Sequence, residues 1–112
     1  MLNRGDIVFV TNQRAVGCEE CKDRYAIVVS NDVCNRYSPV VEIVYLSMHK
    51  FHKELPTHVV ITSAPQVSVA MCEAIYSVDT SRIIRCAGRC SEMEMRRIDR
   101  ALLISLGLVG SW

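Results

Sequence analysis

The chain has 112 residues, enough for one domain with its own core and too short for two of ordinary size. Half of the residues are hydrophobic and 22% are charged, which excludes a disordered tail as its main substance. The formal net charge of +1 excludes the broad electrostatic grip of a histone-like protein and leaves room only for a local basic groove.

The opening "MLNRGDIVFV" lacks the length and cleavage pattern of a secretion signal. No apolar run reaches the roughly 18 residues of a membrane-spanning helix. The expected location is therefore the cytoplasm, away from membranes, with the six cysteines as reduced thiols. Strand-like segments follow in order: "DIVFV" at residues 6–10, "YAIVVS" after Arg24, "PVVEIVYLS" ending at Ser47, "THVVITS" from Thr57, "SVAMCEAIYSV" from Ser68 and "RIIRCAG" from Arg82. Turn signals such as "TNQ", "SND", "YSP" and "SAP" separate them. The segment "NDVCNRYS" fits a helical turn or a plain loop equally.

The end of the chain changes period. In "SEMEMRRIDRALLISLGL", Ser91 and Glu94 form a capping box, and Met95, Ile98, Leu102 and Leu106 recur on one helical face, with Gly107 behind them. The expected fold is mainly β (α+β): a small barrel or strongly curled antiparallel sheet, with this helix packing its apolar stripe on the sheet.

Candidate chemistry is sparse. Cys18 and Cys21 have metal-ligand spacing, and Cys86, Cys90, His49, His52 and His58 are further donors. However, the Cys86–Cys90 pair is too loosely spaced for an ordinary structural zinc site. Cys34 and Cys72 read as buried hydrophobes or plain loop thiols. A phosphate-binding glycine loop, a G-x-S-x-G elbow and an H-E-x-x-H motif are all absent from the sequence. What remains is Arg24 at the start of one strand and Ser47 at the end of the next long one. In an antiparallel pair these ends share a rim of the sheet. A guanidinium beside a hydroxyl suits a phosphodiester, and RNA brings its own 2′-OH as nucleophile, leaving the protein to stabilise charge.

Six segments, "RGDIVFV", "VGCEECKDRYAIVVSND", "NRYSPVVEIVYLS", "LPTHVVI", "SVAMCEAIYSVDTSRI" and the terminal "SEMEMRRIDRALLISLGL", run in one order that resembles the MazF/PemK family of toxin endoribonucleases from bacterial toxin–antitoxin systems. The resemblance covers nearly the whole chain as a single domain, 1–112. It implies a homodimer of small SH3-like barrels with appended helices. It also implies sequence-specific cleavage of single-stranded RNA to a 2′,3′-cyclic phosphate and a 5′-hydroxyl, without a cofactor or metal. A cognate antitoxin would hold the toxin by laying a disordered tail along the groove.

By the same resemblance the family's catalytic arginine falls on Arg24 and its catalytic threonine on Ser47. The loop 11–23 matches a loop over the RNA groove, making Gly17 and Glu19 candidates for substrate contact, against the plain reading of a solvated loop. Asn31 matches a position near the bases, or is a turn residue, and Glu73 matches an acidic groove position, or is a strand-end charge. His58 in "LPTHV" reads as structural. The run "HKFHKE" reads as a solvated loop in which Lys50 and Lys53 reach phosphates only if the groove passes there.

Three residues depart from the family: Tyr25 replaces a proline after the arginine, Ser47 replaces the threonine, and Ala74 replaces a glutamine after the acidic residue. Tyr25 adds a ring on which a base can stack, serine loses the methyl that restrains its rotamer, and Ala74 removes a polar group facing substrate. Two other readings stand beside cleavage: a non-cleaving toxin of the same fold that binds DNA gyrase, and a degenerate RNA-binding member. The pair Arg24 and Ser47 is what a gyrase-binding surface would not require.

Overall fold

The computed structural model describes residues 1–12, 23–49 and 55–110. Seven strands and two helices follow in chain order: β1 (Asp6–Val10), β2 (Arg24–Val28), α1 (Asp32–Tyr37), β3 (Val40–Ser47), β4 (His58–Ile61), β5 (Ser68–Met71), β6 (Tyr76–Asp79), β7 (Ile83–Arg89) and α2 (Glu92–Ser105). No helix among the described residues is long and apolar enough to cross a membrane.

The strands form one antiparallel sheet in the order β4-β5-β3-β2-β1-β7, with β6 also paired to β3. The ladder does not close among the described residues, and the sheet is strongly curled instead. Its two ends approach one another: a Cβ built on Gly88 of β7 would stand 3.2 Å from the carbonyl oxygen of Ser63, just beyond β4. Only a residue without a side chain fits so close to backbone without displacing it.

Period-2 alternation along valine- and isoleucine-rich strands gives the sheet two apolar faces. On one, Ile7, Ile27, Val44, Leu46, Val59 and Ile61 pack under Ile98 and Ala101 of α2. On the other, Val8, Val10, Ala26, Val28, Val41, Ile43 and Val78 close on one another inside the curl. The strand β3 feeds both faces.

Segment "SVAMCEAIYSV", expected as one strand, is two. Six residues separate Ala70 from Tyr76, but only three separate their partners on β3, Leu46 and Ile43. The surplus forms a bulge at residues 72–75, because Cys72 N–H donates to the Thr57 carbonyl (2.9 Å) and draws the chain toward β4. The segment "NDVCNRYS" resolves into α1, with the Asn31 side chain as its N-cap, accepting from Cys34 N–H at 2.8 Å.

The capping box of α2 forms as expected. Leu106, expected in the buried stripe, is 61% exposed, while Ile98 is fully buried. The reason is that α2 ends at Ser105 and Gly107, at φ +73, turns the chain away from the sheet. Buried Ala101 completes the stripe in its place.

Candidate active site

Between β2 and β3 the register pairs Val28 with Ile43, Ile27 with Val44 and Ala26 with Tyr45. The paired ladder ends there; continuing its register by two residues carries Arg24 and Ser47 to the same end of the two strands, and alternation puts both on the face of Ala26 and Tyr45. That face is closed core at the Val28 end and becomes polar at the Arg24 end. Both side chains are half-buried, which leaves them reachable from solvent.

The Arg24 guanidinium lies over the Tyr45 ring, with Cζ 4.7 Å from the centroid, and its Nη2 donates a long hydrogen bond of 3.5 Å to the Leu46 carbonyl. A cation over an aromatic face is held by the ring's quadrupole and loses rotamer freedom before any substrate arrives. Ser47 Oγ accepts from His49 N–H at 3.4 Å, so its own proton remains available to donate.

Tyr45 is itself fixed. It is only 7% exposed, and its hydroxyl donates to Asn12 Oδ1 at 3.1 Å. The buried Asn12 oxygen also accepts from Arg82 Nη2, whose Nε donates to the Thr11 carbonyl at 3.0 Å. On another side Tyr45 meets Tyr76, with ring centroids 5.1 Å apart and planes at 59°. The support of Arg24 therefore runs through Tyr45, Asn12 and Arg82, none of which stood out in the sequence. Tyr45 was detectable by its place two residues before Ser47 on the same strand face.

Residues 3–106 match the family model for the PemK-like, MazF-like toxin of type II toxin-antitoxin systems. The chain belongs to this family.

Among relatives of this PemK/MazF-like chain, Endoribonuclease EndoA of Bacillus subtilis is 31% identical over 113 residues, covering 97% of each protein. An endoribonuclease solved in complex with its cognate antitoxin, from a mycobacterial species, superposes with a TM-score of 0.83 at 21% identity, covering 99% of this chain and 100% of that one. The MazE–MazF complex of Deinococcus radiodurans gives 0.75 at 16% identity over 95% and 96% of the two chains. At such identities the solved structures establish the shared fold.

Two of the other candidate positions of this PemK/MazF-like chain, Asn31 and Glu73, lie among the described residues. Asn31 lies beyond the opposite end of β2, where its amide oxygen caps α1. Glu73, in the bulge between β5 and β6, accepts from Thr57 Oγ1 at 3.2 Å and pairs with His58 Nε2 at 3.0 Å. Burial pushes its carboxyl up, but the His58 hydrogen bond and charge together with the Thr57 hydroxyl outweigh this and hold it below its ordinary value. His58, at the start of β4, is thus tied to Glu73. Ala74 sits half-buried in the same bulge.

Strand alternation points Tyr25 away from Arg24, and it packs on the α2-side core, its ring 4.8 Å from Phe9 and its hydroxyl accepting from Arg85 Nη2 at 3.2 Å. The ring is therefore not beside the proposed phosphate site.

Gly17, Glu19, Cys18, Cys21, Lys50, His52, Lys53 and Trp112 lie outside the described residues. Among the described residues no group of histidines, cysteines and carboxylates is placed to hold a metal. Cys72 and Cys90 are buried, and burial, aided by the neighbouring Glu73 and Glu94 charges respectively, pushes each thiol up to about 12, which makes both unreactive near neutral pH. Cys34 and Cys86 are exposed.

Proposed function

We propose that the chain is a sequence-specific, metal-independent endoribonuclease toxin that cleaves single-stranded RNA, with Arg24 and Ser47 as its catalytic pair. The observation that carries this reading is the register of β2 on β3. Continued past Ala26 and Tyr45, that register favours a permanent cation and a hydroxyl proton at the same polar end of one sheet face, and the cation already lies over Tyr45.

In the proposed reaction the 2′ oxygen of the substrate gives up its proton and bonds to phosphorus, and the bond from phosphorus to the 5′ oxygen breaks. The 5′ oxygen gains a proton, and the products are a 2′,3′-cyclic phosphate and a 5′-hydroxyl. No water, oxidant or covalent protein intermediate enters the balance. Arg24 spreads its fork of donors over the non-bridging oxygens as negative charge builds, and Ser47 donates to one of them. Glu73 and Asn31 serve as outlying RNA contacts if the strand extends from this site to the bulge and to α1, and Gly17 and Glu19 do so from the loop. The EndoA relative and the solved antitoxin complexes support an endoribonuclease toxin held by a cognate antitoxin; its placement in the cytoplasm as a homodimer of single-domain 1–112 chains belongs to the same proposal and rests on the family resemblance.

The test is a cleavage assay in EDTA on long single-stranded RNA, with cut ends mapped. Wild type is expected to give discrete cuts bearing cyclic phosphates. Arg24→Ala is expected to lose about 100- to 1,000-fold in rate, and Ser47→Ala about 10- to 100-fold, the loss of one hydrogen bond to a charged group. An inert wild type overturns the enzymatic reading and leaves the two non-cleaving ones, a gyrase-binding toxin and a degenerate RNA-binding member, which binding assays with gyrase and RNA then separate.

A further inference from the structure

We propose that Tyr76 is a stacking platform for an unpaired nucleobase of the same RNA strand whose phosphate Arg24 holds, and that this ring sets part of the substrate preference. The inference rests on the endoribonuclease reading. Tyr76 is half exposed, at 49%, on a strand paired only to β3 among the described residues. Its pairing with Ile43 puts it on the face that Tyr45, Arg24 and Ser47 share. From the guanidinium to Tyr45 and from Tyr45 to Tyr76 are two steps of 4.7 Å and 5.1 Å, a ladder of cation, buried ring and open ring that leads out of the site.

The two rings have different tasks. Tyr45 is buried and hydrogen-bonded to Asn12, so it orients and does not receive. Tyr76 leans on it and is thereby restrained, so that a base docking there costs little ordering of the protein. Every base offers a π-face, which makes such a contact tolerant of identity while favouring the base that stacks more strongly. The other aromatic pair among the described residues, Phe9 with Tyr25, is occupied: Arg85 lies over the Phe9 ring, 4.5 Å from its centroid, and donates to the Tyr25 hydroxyl. It also faces the opposite side of the sheet.

The experiment compares wild type, Tyr76→Ala, Tyr76→Phe and Arg24→Ala on a mapped RNA site, with abasic nucleotides walked through that site one position at a time and thermal midpoints recorded for each protein. Tyr76→Ala is expected to lose between about 5- and 100-fold in kcat/KM, while Tyr76→Phe stays within about twofold because it keeps the ring. One abasic position should cost wild type a similar factor and cost Tyr76→Ala nothing further, which identifies the stacked nucleotide. Equal cleavage by Tyr76→Ala and wild type overturns the platform. So does a Tyr76→Phe as impaired as Tyr76→Ala, or losses that multiply independently at every position. In each of these cases an inactive Arg24→Ala leaves the catalytic reading standing. A wild type that cuts no RNA removes both.

Discussion

A guanidinium stays charged at any pH a cell experiences, so the question at Arg24 is where its charge points. The Tyr45 ring answers it, and the shape of the group matters as much as its charge. Arg24→Lys keeps a cation but loses the planar fork and most of the hold on the ring. Its cleavage rate should fall about 10- to 100-fold, measured under single-turnover conditions, and a rate equal to wild type would show that charge alone suffices. At the other partner, Ser47→Thr restores the methyl that restrains χ1 and should raise the rate a few-fold through better preorganisation; a fall would mean that the extra methyl meets the substrate. Arg24 and Ser47 could be nominated from the sequence because an antiparallel pair brings a strand's start to its neighbour's end, and the strands do begin and end at those two residues. Tyr45, Asn12 and Arg82 were not legible there, since a tyrosine in a strand reads as ordinary core. The asparagine and arginine that clamp it lie far away in the chain, at separations of 33 residues from Asn12 to Tyr45 and 70 from Asn12 to Arg82.

Among the elements, α2 was the most plainly written and yet holds an unexpected tie. Glu94 closes the capping box with Ser91, and the same carboxylate accepts from Thr62 N–H at 2.7 Å and Ser63 Oγ at 2.5 Å, pinning the helix to the turn after β4. Burial pushes this carboxyl up, but the hydrogen bonds from Ser63, Ser91 and Thr62 prevail and bring it down to about 2 from an ordinary 4.5. A carboxyl whose folded pKa is depressed contributes stability that is fully present above about pH 4.5 and is lost as the pH falls toward 2. Glu94→Gln should therefore cost on the order of 2 kcal/mol at neutral pH and flatten the acid side of the stability profile in that window, read by urea unfolding at a series of pH values. An unchanged acid limb would assign the loss to other carboxylates. The bulge between β5 and β6 was hidden for the opposite reason. Its residues alternate well enough to pass for one long strand, and only pairing with β3 reveals the surplus.

At the scale of the molecule, the two apolar interiors are not independent. Ile27 belongs to the core under α2 and Ile43 to the core inside the curl, both fully buried, and they sit on the paired strands β2 and β3. Ile27→Ala and Ile43→Ala should each cost about 2–5 kcal/mol and lower the midpoint of one common transition in calorimetry; two separable transitions would show that the cores melt apart. The general plan of a curled β-sheet with one terminal helix was readable from strand spacing and the change of period at Ser91. The curl itself, which brings Gly88 against Ser63, depends on contacts across the whole chain. From Ile43 to Leu46 successive residues of β3 serve alternate interiors, and the strand ends at Ser47. Such a strand offers evolution no neutral stretch between scaffold and chemistry. A cell selected for survival of the toxin can escape by damage anywhere along it, so a survivor with a lesion there says nothing about the proposed catalytic pair until the protein's solubility has been compared with its nuclease activity.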